Sequence, residues 1–149
     1  MRFQLELRLA AGEGVSPAML TFRPRRMARV IAAMTELRMV VDAGPPPKFP
    51  LWAVYGVSDF DSSGRPVGGR AQEYEVALGR ILSSHGQTDE EGIPLHKLRS
   101  NLGWHVTADE CRAAIKSMEA ADGPVPNAIG PELIGFLRTA MVRDGFEVH

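Results

Sequence analysis

One cysteine in 149 residues leaves no disulfide framework to hold this chain together. No apolar run approaches the length of about 18 residues that a membrane helix needs, and no basic-plus-apolar leader opens the sequence. Charge of one sign is missing too. The formal net charge is −1 and the pI is near 6.4. That balance argues against a general binder of nucleic acid or of anionic membranes. There is no P-loop, no dinucleotide fingerprint, no internal repeat and no low-complexity tract. Lysine is scarce, with 3 against 14 arginines, which hints at a GC-rich genome and says nothing of chemistry.

What is present is ordinary globular material, 44% hydrophobic and 23% charged. The length suits one domain, 1–149, able to bury a core without staples. The expectation is a soluble, cytoplasmic α+β protein with about four helices on a small, mostly antiparallel sheet, and no membrane association. Oligomeric state stays open.

Phe3, Leu5, Leu7 and Leu9 alternate with polar residues, which predicts a strand over residues 1–10. Ala11, Gly12, Glu13 and Gly14 read as a turn, and residues 19–23 lean to a returning strand. Pro24 suits a first helical position. The helix is expected over 24–41, with Met27, Val30, Ile31, Met34, Leu37 and Val41 inward, before prolines 45–47 forbid continuation. Residues 51–58 read as a core strand with Trp52 and Val54 on one face. Residues 59–69 read as a loop and the most mobile segment. Asp59, Asp61 and Ser63 approach a calcium loop, but its glycines are misplaced and no glutamate closes it. A helix over 70–84 follows, with Gly86 as its C-cap. His85 falls in line with its stripe and reads as a half-buried residue bonded to a carbonyl.

The most organised stretch is 90–121. Thr107 and Glu110 form a capping box, so a helix should run over 108–120. Cys111, Ala114, Ile115 and Met118 share its inner stripe. That placement reads Cys111 as a buried structural thiol. Trp104 and Val106 should point inward from a short strand and His105 outward. The last helix is expected over 131–143. Residues 146–149 alternate again and need a host sheet, for which the N-terminal strand is the obvious choice.

Three classes of function fit these residues. A binding or regulatory protein would use the surface around 100–110, with Lys97, Arg99, Asn101, Trp104 and His105 as contacts to an unknown protein or small anionic ligand. Arg25, Arg26 and Arg29 crowd the positive end of a helix dipole, where a bound anion would relieve their repulsion. A solvated face is the plainer reading of the same arginines. A second class is nucleic-acid binding through a degenerate helix-turn-helix at 95–120, suggested by Leu98, Leu102 and Gly103. Its turn is overlong, and Asp109 and Glu110 would meet phosphates, so a nucleic-acid partner is not expected. A third is a small enzyme using His96, His105 and Glu110 as acid–base groups. No evident nucleophile accompanies them. His96, His105 and Cys111 match no usual zinc spacing, so no metal or cofactor is expected.

The block GIPLHKLRSNLGWHVTADEC and the ending DGFEVH resemble segments of short uncharacterised proteins from GC-rich bacteria. The resemblance covers about half the chain. It implies no activity and assigns no residue a role.

Overall fold

Alternation builds the first element as the sequence requires. Phe3, Leu5 and Leu7 are buried along β1 (Phe3–Leu7), while Gln4 and Glu6 are exposed. The computed structural model describes residues 2–8 and 19–149. Met1, Leu9, Ala10 and the turn expected at Ala11 to Gly14 lie outside the described residues. The chain divides into two compact units, one of residues 1–45 with 85–149 and one of residues 46–84.

In the larger unit, β1 pairs antiparallel with β2 (Met19–Phe22) on one side and with β8 (Phe146–Val148) on the other. β8 then pairs antiparallel with β7 (Trp104–Val106), giving the order β2-β1-β8-β7. The chain end therefore lies between the N-terminal strand and the central stretch. Helix α1 (Pro24–Glu36), the short α3 (Leu95–Arg99), α4 (Ala108–Ala120) and α5 (Pro131–Met141) complete this unit. One core joins Leu5, Met27, Met34, Cys111, Leu137 and Phe146. Phe136 meets Phe146 edge-on at 5.2 Å. With α2 (Ala71–Leu82) of the smaller unit, four helices exceed ten residues, and the class is α+β.

The first helix is shorter than its periodicity predicts. Leu37 and Val41 fit a helical stripe, yet α1 stops at Glu36. The amide of Arg38 donates to Thr35 and that of Met39 to Met34, while Arg38 takes a left-handed φ of 58°. This is a Schellman stop with arginine where glycine is usual. Val40 and Val41 then form β3 (Val40–Val41), parallel to β6 (Ile93–Pro94). β-branched residues bury better there than on a helix flank.

The smaller unit departs furthest from expectation. Residues 51–58 are not a core strand. Trp52–Tyr55 is a 3-10 turn, and Leu51, Trp52 and Val54 are exposed. The loop expected at 59–69 holds a hairpin, β4 (Asp59–Phe60) against β5 (Pro66–Val67). The Asp61 carboxylate accepts from the Ser63 hydroxyl, the Ser63 amide and the Arg65 amide, which folds the loop tip around one side chain. Those bonds, Ser63 first, hold its carboxyl below the ordinary 3.8. Gly69 has a positive φ, and a Cβ there would meet the carbonyls of Tyr55 and Gly56 at 2.5 Å. The close crossing needs glycine. Helix α2 ends at Leu82 with Ser83 as its cap, so Gly86 is not the C-cap and His85 lies beyond the helix.

Candidate functional site

The capping box at the start of α4 is present, and it does more than cap. Glu110 Oε1 accepts from the Thr107 amide at 2.9 Å and from Lys97 Nζ at 2.7 Å. Glu110 Oε2 lies 2.7 Å from His85 Nδ1. Lys97 Nζ also donates to the His105 carbonyl at 2.7 Å. β7 is an edge strand of its sheet. Lys97 therefore supplies a donor where a neighbouring strand would otherwise stand.

This overturns two placements drawn from the sequence. Lys97 is not a rim contact: it is fully buried. Burial pushes its ammonium below the ordinary 10.5, and Glu110 opposes that shift. His105 is not an outward residue. It lies opposite Trp104 and Val106 along the strand, but it is only 5% exposed and its Nε2 lies 2.6 Å from the Asp144 carbonyl. The turn between α5 and β8 covers the face that alternation alone would leave wet. Trp104 points inward as the alternation predicts; at 2% exposed it is a core residue and not the surface contact named beside Lys97 and His105.

The acid–base trio is also not one site. His96 meets Trp104 edge-on at 4.6 Å, and both its ring nitrogens are buried without a hydrogen-bond partner. Burial, then the nearby Lys97 charge, pushes its pKa below the ordinary 6.5. Neither His96 nor His105 bonds to the Glu110 side chain; His85 does. His85 Nε2 also lies 3.0 Å from the Glu90 carbonyl, so the expected carbonyl partner is there. Both ring nitrogens thus face oxygen atoms of the fold. His85 stands at the edge of a cavity of about 490 Å³ whose walls include Glu90, Glu91, Arg112 and Lys116. With both nitrogens bonded into the fold, the ring presents no base to that cavity.

Of the surface expected around 100–110, Asn101, Leu102 and Asp109 remain exposed, as does Arg99 beside it. The helix-turn-helix geometry is not what forms there. The five-residue α3 is separated from α4 by strand β7, which occupies the place of the turn. Cys111 is fully buried, and burial with the Glu110 charge raises its pKa far above the ordinary value. Among the described residues, no group of His, Cys, Asp and Glu is placed to hold a metal ion, and no helix is long and apolar enough to cross a membrane.

A second concavity, of about 580 Å³, runs between α1 and α3. Phe3, Met27, Ile31, Leu95 and Leu98 give it an apolar floor, and Ala28 and Ala32 stand exposed along its α1 wall. Among the described residues, Arg99 is the charged member of its lining and no carboxylate belongs to it. Arg25 and Arg29 are exposed one i,i+3 step from Ala28 and Ala32, so they border the same wall. Arg26 sits apart, its guanidinium 5.3 Å over the Phe22 ring. The first turn of α1 has no acidic residue and its N-cap makes no side-chain bond.

The arginines are legible in the sequence, and the groove is not. Ala28 and Ala32 widen the apolar arc of α1 beyond its core stripe, which was the available signal. The buried Lys97–Glu110 pair had a fainter one, a lysine chosen where arginine is the rule. No protein-family model, no curated protein and no solved structure matches this chain.

Proposed function

We propose that this protein is a small binding module that recognises an acidic, amphipathic helix of another protein through the groove between α1 and α3. One observation carries the reading: an apolar floor bordered by Arg25, Arg29 and Arg99, with no carboxylate among the described residues of the lining. Apolar anchors at i, i+4 and i+7 of a partner helix would enter the floor. Small alanines along the wall let a backbone approach closely. Acidic residues beside those anchors would meet the arginines and speed encounter. Arg25 and Arg29, which repel one another across an i,i+4 step, are relieved by the same partner. The buried network at Glu110 supports the fold behind this surface, with its polar atoms bonded to one another.

The test uses a synthetic helical peptide with leucines at those spacings and glutamates elsewhere. Binding should shift the amide resonances of Ala28, Ile31, Leu95 and Arg99. Replacing its glutamates by lysines should weaken binding at least about tenfold, since reversing the charge of several close pairs costs more than 1.4 kcal/mol. Ala32→Glu should abolish binding with little change in Tm, because the position is exposed. Equal binding of both peptides, or shifts confined elsewhere, would sink the reading.

A further inference from the structure

The unit of residues 46–84 has almost no core of its own. Val57 and Tyr74 are its only buried residues. Yet it carries seven of the eleven large apolar side chains exposed among the described residues. Leu51 is 69% exposed, Trp52 50%, Val54 64% and Val76 52%. What holds it locally is a clasp. Tyr55 meets Tyr74 edge-on at 5.8 Å, the Arg70 guanidinium lies 5.2 Å over the Tyr55 ring, and Arg70 Nη2 donates to the Val54 carbonyl. Chains of fewer than about 40 residues seldom stand without a disulfide, a metal or association. The only cysteine, Cys111, lies outside this unit. Such a display of apolar side chains marks an interaction surface.

Charge says which partner fits. Lys48, Arg65, Arg70 and Arg80 balance Asp59, Asp61, Glu73 and Glu75, so two copies meet without net repulsion. The arginine-bordered groove of the larger unit has no such neutrality. Helix α2 adds a pattern. A depression of about 480 Å³ along it is floored by Tyr55, Val76 and Ala77, with Glu73 toward one end and Arg80 toward the other. A two-fold axis between Val76 and Ala77 sets α2 antiparallel to its copy. Val76 then packs near the axis, and Glu73 faces Arg80 of the partner subunit, twice over.

We infer that the protein forms a two-fold dimer through unit 46–84, with antiparallel α2 helices at its centre and the Leu51–Val54 turn closing the apolar seam. This surface and the groove between α1 and α3 belong to different units, and the inference does not depend on that groove's partner.

Sedimentation equilibrium on the full chain tests it, followed from micromolar concentration upward. Wild type should reach twice 16.3 kDa. Arg80→Glu and Glu73→Arg each place like charges opposite one another at both contacts, and each alone should dissociate at least about tenfold more readily. An equimolar mixture of the two pairs opposite charges at both contacts and should restore the dimer. Val76→Asp should be monomeric with an unchanged far-UV circular dichroism spectrum, which separates lost association from lost folding. A wild-type mass of one chain at several hundred micromolar overturns the inference. So does an Arg80→Glu variant that associates as wild type, or a mixture no tighter than its components.

Discussion

Lys97 Nζ lies 2.7 Å from Glu110 Oε1, with the lysine fully buried and the carboxylate nearly so. The pair joins α3 to the start of α4, and through the His105 carbonyl it also holds the edge of the sheet. Lys97→Met would leave Glu110 buried without its cation. The cost should be about 3–5 kcal/mol, as for other buried pairs cut on one side. Urea unfolding measures it, and a loss under about 1 kcal/mol would show that the pair is not the tie described.

His96 makes stability depend on pH. Its folded pKa lies below 6.5 because burial, then Lys97 and His85, disfavour the charged ring, with Glu110 opposing. Below 6.5 the unfolded chain therefore binds a proton that the folded ring resists. This group costs nothing above 6.5 and takes away stability as the pH falls through and below it. His96→Phe keeps an edge contact to Trp104 and removes two unbonded nitrogens. The variant should gain on wild type at pH 5 relative to pH 7.5 in urea titrations. A difference between the two proteins that ignores pH would count against the assignment.

Cys111 is fully buried beside Glu110, and its thiol is held protonated. Reaction with an aromatic disulfide reagent should be slow in the native protein and complete within minutes in denaturant. Labelling at the same rate in both states would place the thiol on the surface instead.

Gly145 immediately precedes the final strand with φ near 71°, and a Cβ there would run into the Val106 carbonyl oxygen. Gly145→Ala combines a strained backbone with a clash at the β7–β8 crossing. A loss of at least about 2 kcal/mol is expected, within the range for such sites. Thermal unfolding would show it as a clear fall in Tm.

Arg38 is the opposite case. It holds a left-handed φ at the end of α1 and is the one such non-glycine among the described residues. Arg38→Gly removes a penalty of about 1–2 kcal/mol and returns part of it as unfolded-chain entropy. A net gain of about 0.5–1 kcal/mol in urea unfolding is expected, and a loss would mean that the arginine side chain itself is needed.

Elements whose signals are local are legible in the residues alone. The capping box of Thr107 and Glu110, the stripe through Cys111 and Met118 and the alternation of β1 all follow from periods and caps. These depend on neighbours within a turn or a pleat, and such neighbours are written side by side. Tertiary structure decided the rest. Alternation put His105 on the outer face but could not show that Asp144, 39 residues on, would cover it. The spacing of Lys97 and Glu110 did not reveal a buried pair, because a charge is buried only when distant segments close over it together. Residues 51–58 look like a strand by composition, yet no partner strand was ready for them, and an unpaired strand is not stable. The groove between α1 and α3 belongs to no single segment, so only the packed molecule could place Arg99 beside the wall that Arg25 and Arg29 border.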